Sequence, residues 1–175
     1  MTAQVAALLE RAAGIQGERE LADLRREADE AVEFAVRAED FRERAMGYRA
    51  IGVLEYKEKT ELIRRGLEDE SPACRGAALM SLEVLSRDRP GDVNGARASL
   101  HRLADSDPNM TVRRLAVICL KNGSAGNRDT SLLLDHISDA AEDPELAAAA
   151  KRVIDALKQR AHEDRERKRE RERNR

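Results

Sequence analysis

Residues 107–120 read Asp-Pro-Asn-Met-Thr-Val-Arg-Arg-Leu-Ala-Val-Ile-Cys-Leu, and this stretch decides the fold. Proline fixes its own backbone and is excluded from helix interiors, so Asp107-Pro108 predicts a turn. Val112, Ala116 and Leu120 follow at intervals of four residues, which places their side chains on one face of a helix. The stretch therefore predicts a turn followed by a helix with one buried face.

Similar stretches lie on either side of it. Pro72 and Pro144 each stand 36 residues from Pro108, and apolar helical patterns follow both. Equal spacing with matched flanks indicates an internal repeat. Each repeat predicts a hairpin of two helices that cannot bury its apolar face alone, so neighbouring hairpins are expected to stack.

The pattern resembles that of HEAT repeats, including the bacterial HEAT-like modules. Their first helix typically starts with Asp-Pro and continues with an apolar residue, Arg, two variable positions, Ala, three variable positions and Leu. The stretch at 107–120 matches this pattern in full. The resemblance covers about residues 41–160 and implies an all-α protein, a short right-handed α-α superhelix (a HEAT-like solenoid) with N-terminal capping helices.

The other three copies match to different degrees. The second copy is nearly complete, with Ser71-Pro72, Cys74-Arg75, Ala78 and Leu82. The fourth copy loses the arginine, with Asp143-Pro144, Leu146-Ala147, Ala150 and Ile154. The first copy has no proline, and we align it as Phe41-Arg42 and Ala45, with Arg49 where Leu is expected.

Composition supports an all-α fold. The chain has 175 residues, enough for one domain or a short repeat array, and aromatic residues make up only 2% of it. A core of Leu, Val, Ile and Ala favours helices over sheets. Cys74 and Cys119 lie in apolar patterns and are expected to be buried, reduced thiols of a cytoplasmic protein. We expect neither a secretory signal nor a membrane-spanning segment.

Residues 1–40 predict two N-terminal helices. A helix at 2–13 places Val5, Leu8, Leu9 and Ala12 on one face, and a longer helix starts at about Glu18. The second helix has an alanine-rich face consisting of Leu21, Leu24, Ala28, Ala31, Ala35 and Ala38. This face predicts a capping hairpin on the first repeat or, alternatively, the seam of a homodimer.

The repeat array at 41–160 is predicted to alternate first and second helices. We expect first helices at 41–54 and after each of the three prolines, and second helices at 58–67, 93–104 and 130–141. Arg75 and Arg113 beside the turns are expected, from the resemblance, to pair with Asp69, Asp105 or Asp107. Asp129 or Thr130 is expected to cap the last of the second helices.

The sequence offers no constellation for catalysis, a metal ion or a cofactor. His101, His136 and His162 are well separated, and neither cysteine has the close Cys or His partner that zinc sites use. The glycine-containing loop at 122–127 follows a helix and lacks the lysine of a phosphate-binding loop. Cys119 has no nearby base to activate it. We therefore expect a non-enzymatic protein without cofactors.

The second helices are expected to face a partner, because in such arrays they usually line the concave side. The candidate contact residues are Arg64, Arg65, Arg97, His101, Arg102 and His136. Their charge predicts a protein partner with an acidic surface. The protein would be a monomer, or a homodimer through the N-terminal helices.

The tail at 161–175 mixes arginine and glutamate without an apolar face after Ala161. Such a segment forms a solvated helix or stays disordered. An alternative function follows from it, in which the tail and the basic helix faces bind nucleic acid. A second alternative, also implied by the resemblance, is a subunit of a HEAT-like lyase.

Overall fold

Helices account for most of the chain in the computed structural model, which describes residues 2–173, with side chains from Gln4 onward. Residues 174 and 175 of the predicted tail lie outside the described range. The described helices are α1 (Thr2–Ala13), α2 (Glu18–Ala35), α3 (Phe41–Val53), α4 (Thr60–Gly66), α5 (Pro72–Leu85), α6 (Pro90–Gly95), α7 (Arg97–Ser106), α8 (Met110–Leu120), α9 (Arg128–Ala140) and α10 (Pro144–Arg173). No strand occurs among residues 2–173, and the predicted all-α class is confirmed.

The chain forms two compact units, one ending at Asp92 and the other starting at Val93. The first unit contains α1 to α5, and the second contains α7 to α10. Two predicted second helices differ in detail from the observed ones. The helix predicted at 58–67 begins as a short 3-10 turn, Lys57–Lys59, before α4. The helix predicted at 93–104 is divided between α6 and α7 at Ala96.

The capping residues set where each helix begins. For this reason the first helices do not begin at the same 36-residue intervals as the prolines. Pro72 and Pro144 are the first residues of α5 and α10. Pro108 instead lies outside α8, whose cap is Asn109, because the Asn109 side chain accepts a hydrogen bond from the Val112 N–H at 3.1 Å. At α9 the cap is Asn127, which accepts from the Thr130 N–H at 2.8 Å. The prediction of Asp129 or Thr130 as that cap was wrong.

The alignment of the first repeat also needs correction. The Arg44 guanidinium donates hydrogen bonds to the carbonyl oxygens of Ala38 and Glu39, six and five residues upstream, at 3.1 and 2.7 Å. Arg75 donates to the carbonyl oxygens at the same two offsets, both at 2.9 Å. Arg44 is therefore the structural equivalent of Arg75. The first copy of the pattern is Arg44, Gly47 and Ile51 rather than Arg42, Ala45 and Arg49.

The N-terminal hairpin of α1 and α2 packs against α3 within the first unit. Leu24, Ala28, Ala31 and Ala35 of the alanine-rich face are buried. Lys59 also holds α2, because its Nζ lies 2.9 Å from an Asp29 carboxylate oxygen and 2.8 Å from one of Glu33. The face from which a homodimer seam was predicted is thus already covered by this chain.

Helices α3 and α5 pack closely against each other in the first unit. The Ser81 hydroxyl donates to the Tyr48 carbonyl oxygen at 2.7 Å and accepts from the Gly52 N–H at 3.1 Å. A Cβ atom on Gly52 would lie only 2.7 Å from the Ser81 Cα. The two backbones therefore approach each other only because residue 52 is glycine.

An ion pair joins the same two repeats. The Arg44 guanidinium donates to both carboxylate oxygens of Asp69 at 2.8 and 3.0 Å. The two side chains are only 13% and 7% exposed. Asp69 stands in the turn before α5, and its carboxylate also accepts from the Ser71 N–H.

The second unit repeats this arrangement at α8 and α10. Arg114 of α8 donates to both carboxylate oxygens of Asp143 at 3.1 and 2.6 Å. Asp143 stands in the turn before α10 and accepts from the Leu146 N–H. Arg44 and Arg114, which were not among the arginines predicted to form a ladder, thus form arginine–aspartate pairs beside the turns. Arg113 instead donates from Nε to the Ala104 carbonyl oxygen at 3.0 Å.

Candidate partner-binding surfaces

The predicted contact residues of the first unit lie on α4. Arg64 and Arg65 are both exposed, and Arg64 forms an ion pair with Glu61 one turn earlier at 3.5 Å. An exposed pair of this kind leaves the guanidinium accessible to a partner. Helix α4 therefore presents two cations to solvent.

The predicted residues of the second unit have more varied surroundings. Arg97 on α7 is half-buried and donates to the Asn94 side-chain oxygen at 2.5 Å. The His101 Nε2 lies 2.9 Å from the Thr130 hydroxyl of α9, so this side chain joins two helices. Burial, reinforced by the Arg97 charge, lowers the pKa of His101. Arg102 and His136 are exposed.

A groove on the first unit was not anticipated from the sequence. It has a volume of about 590 Å³ and lies between α1, α3 and α5. Its lining residues are Ala6, Leu9, Glu10, Ala13, Arg42, Ala45, Met46, Arg49 and Ala77. The alanines leave the groove wide, and Leu9 and Met46 supply adaptable apolar surface.

The charged residues of this groove lie on opposite walls. Arg42 and Arg49 stand seven residues apart on α3, so they share one face of that helix. The Arg42 guanidinium lies 5.6 Å from the centre of the Phe41 ring. Glu10 stands on the α1 wall. Within residues 2–173 neither Arg49 nor Glu10 has an ion-pair partner.

Exposed apolar side chains continue from the groove along the same helices. Met80 lies one turn beyond Ala77 on α5 and is 53% exposed. Val53 lies one turn beyond Arg49 on α3 and is also exposed. An apolar strip with two arginines along one wall is a surface suited to an amphipathic helix.

Helix α1 is held in place to form one wall of the groove. Val5 and Leu8 are buried, and Arg11 donates two hydrogen bonds to the Glu27 carboxylate at 2.5 and 2.7 Å. The predicted face of α1 joined Val5, Leu8, Leu9 and Ala12. The structure buries Val5 and Leu8, and Leu9 turns its side chain to the groove.

The two cysteines are parts of the core. Cys74 and Cys119 are buried and free, as expected. Burial, with the charge of Asp69 as the next cause, raises the pKa of the Cys74 thiol to about 11. A neutral thiol is a poor nucleophile. The Cys74 Sγ donates to the Phe41 carbonyl oxygen at 3.2 Å, a contact between first helices of adjacent repeats.

Two further properties concern the described part of the chain only. No group of three His, Cys, Asp or Glu side chains there is arranged to hold a metal ion. None of its helices combines the length and apolar character needed to cross a membrane.

Comparison with known sequences agrees with the hairpin pattern. No curated protein matches the chain. Residues 28–121, just over half of the chain, match the family described as HEAT repeats. The match begins within α2 and ends after α8, so it covers the first three copies of the pattern. With its repeated helical hairpins and this match, the chain belongs to the HEAT-repeat family.

Proposed function

We propose that this protein is a non-enzymatic adaptor that binds an acidic, amphipathic helix of a protein partner in the groove between α1, α3 and α5. HEAT repeats are generally protein-interaction scaffolds. The single observation that supports this site best is the apolar groove with two arginines on one wall. A cytoplasmic location fits the two reduced, buried thiols.

Charge and shape both favour this partner. The α3 wall can receive carboxylates at Arg42 and Arg49, two helical turns apart, as in the i and i+7 positions of a bound helix. The apolar floor takes the other face of that helix. Because the groove is preformed, binding costs little conformational entropy of the protein.

The exposed cations of α4 offer a second surface for an acidic partner, and the two surfaces can be separated experimentally. Arg42→Glu combined with Arg49→Glu reverses the charge of the groove wall. Arg64→Glu combined with Arg65→Glu makes the same change in net charge on α4. Both pairs of residues are solvent-accessible, so neither variant should alter the fold.

The experiment is an affinity capture with wild-type protein and both variants, followed by quantitative mass spectrometry. We expect one or more proteins to be captured by wild type and by the α4 variant, but depleted about tenfold in the groove variant. Depletion by the α4 variant alone would assign binding to Arg64 and Arg65. Captured nucleic acid that disappears on deleting residues 161–175 would support the nucleic-acid alternative instead.

A further inference from the structure

The sulfur-containing side chains fall into two groups that differ in their access to solvent. Cys74 and Cys119 are buried, and burial raises the pKa of the Cys74 thiol to about 11. Cysteine oxidation proceeds through an accessible thiolate, so both cysteines are shielded from oxidants. The methionines whose side chains the structure describes are instead half-buried or exposed, and they are Met46, Met80 and Met110.

Two of these methionines lie at the groove between α1, α3 and α5. Met46 is part of its lining on α3. Met80 lies one turn beyond the lining residue Ala77 on α5, and its side chain is 53% exposed. Met110 begins α8 in the second unit and does not line this groove. The groove and its continuation therefore hold two accessible thioethers.

A thioether is oxidised without first losing a proton, so access to the oxidant controls its reactivity. Hydrogen peroxide transfers one oxygen atom to the sulfur. The O–O bond breaks, an S–O bond forms with an electron pair of the sulfur, and the peroxide is reduced to water. The product, methionine sulfoxide, is polar, and methionine sulfoxide reductases convert it back to methionine.

We propose that Met46 and Met80 are oxidation sites, and that their conversion to sulfoxides weakens helix binding in the groove between α1, α3 and α5. This inference rests on the function proposed above and adds a regulation of the same site. A sulfoxide at Met46 places a polar S–O group where the apolar face of the bound helix packs, and binding would bury that group without a hydrogen bond. A sulfoxide at Met80 shortens the apolar strip that continues the groove.

The experiment measures binding before and after oxidation. The probe is a synthetic amphipathic helix of about 14 residues, or four turns, with leucines on one face and glutamates at positions i and i+7 beside them. It contains neither methionine nor cysteine, so only the protein is oxidised. Full-length protein is treated with hydrogen peroxide, the peroxide is removed with catalase, and the affinity is measured by fluorescence anisotropy.

We expect oxidation to weaken the affinity of the wild-type protein about tenfold. Met46→Leu combined with Met80→Leu conserves apolar volume, so this variant should bind like the wild type and keep its affinity after peroxide treatment. Met110→Leu is the matched control from the second unit, and it should lose affinity as the wild type does. Methionine sulfoxide reductases with dithiothreitol should restore binding by the oxidised wild type.

Peptide mapping by mass spectrometry locates the oxidised residues. Met80 is the more exposed of the two groove methionines, so its sulfoxide should form before that of Met46, while Cys74 and Cys119 stay reduced. Bound probe should slow the oxidation of both groove methionines and leave the oxidation of Met110 unchanged. Circular dichroism checks that the oxidised protein retains its helix content.

Two results would overturn the inference. Unchanged affinity of a protein that carries both sulfoxides would show that the groove tolerates them. An equal loss of affinity in the double methionine variant would assign the sensitivity to another residue. The absence of binding by the unoxidised wild type would be a different failure, because it would contradict the proposed function and the regulation that rests on it.

Discussion

The α3–α5 contact and the α8–α10 contact each join successive repeats through an arginine–aspartate ion pair, and the two pairs differ in exposure to water. In each contact, an arginine of one first helix donates two hydrogen bonds to an aspartate in the turn before the next first helix. Arg44 and Asp69 are 13% and 7% exposed, whereas Arg114 and Asp143 are 30% and 20% exposed. The comparison teaches that two similar arginine–aspartate pairs, formed at neighbouring positions of the repeat, can be shielded from water to different degrees. Burial decides how much each pair stabilises its unit.

Removing the aspartate of each pair should give the largest difference in the free energy of unfolding between the two units. Asp69→Ala leaves the largely shielded Arg44 guanidinium with only the exposed Glu70 as a carboxylate partner, and we expect it to lower the free energy of unfolding by about 3 kcal/mol. Asp143→Ala leaves Arg114 accessible to water, and its effect should be clearly smaller. Urea unfolding followed by circular dichroism measures both. Equal losses would mean that the difference in burial has no energetic consequence.

The next largest effect on stability is expected where the backbones of α3 and α5 approach each other at Gly52 and Ser81. Gly52→Ala places a Cβ atom 2.4 Å from the Ser81 hydroxyl oxygen, so the α3–α5 contact must open. We expect a loss of about 2 kcal/mol, as is typical for overpacking a tight core. Gly126→Ala is the matched control in the second unit, because nothing lies within 4 Å of the added Cβ there. A Gly52→Ala variant as stable as the control would show that the helices separate without cost.

The smallest expected effects are on the pH dependence of stability, to which the two units contribute in different pH ranges. Burial acts to raise the pKa of Asp69, but hydrogen bonds from Arg44 and from the Ser71 N–H outweigh it, and the pKa falls below the ordinary value of 3.8. As the pH falls, the unfolded chain then binds a proton before the folded one does, so stability is lost as the pH falls below about 4. In the second unit, burial lowers the pKa of His101 below the ordinary value of 6.5. The unfolded chain therefore protonates this histidine before the folded protein does, and stability declines as the pH falls below about 6.5.

Two substitutions test this prediction through stability measured as a function of pH. Asp69→Asn should flatten the decline below about pH 4 and leave the decline near pH 6 unchanged. His101→Gln, which retains a hydrogen-bonding side chain toward Thr130, should have the opposite pattern. Identical pH profiles for wild type and both variants would contradict the assignment of these two groups.

Much of the fold could be predicted from the sequence because proline, alanine and leucine spacing reports directly on helical hairpins. The predicted start of α2 at Glu18 and the buried positions of Cys74 and Cys119 are confirmed. The register of the first repeat was missed for a physical reason. Gly47 takes the place of the usual alanine because the Val36 backbone nitrogen lies only 2.8 Å from where a Cβ would be. A glycine there interrupts the pattern that identifies the other copies.

The groove of the first unit could not be predicted in the same way. A helical repeat pattern shows which side chains point inward, but not which small side chains of separate helices lie together at the surface. Ala6 and Ala77 belong to helices far apart in sequence, and only packing brings both to one groove. The role of the second helices as a partner surface remains a prediction for all six candidate residues: Arg64, Arg65, Arg97, His101, Arg102 and His136.

The hydrogen bonds between repeats have a consequence for how the chain acquires its structure during synthesis. They join residues 25 to 33 positions apart, as in the pairs Arg44–Asp69, Gly52–Ser81, Tyr48–Ser81 and Arg114–Asp143. Each of these contacts therefore closes a loop of no more than about 33 residues within neighbouring repeats. Every one of these partners for the first unit is present once residue 92 has left the ribosome. The first unit can therefore fold while the second is still being translated.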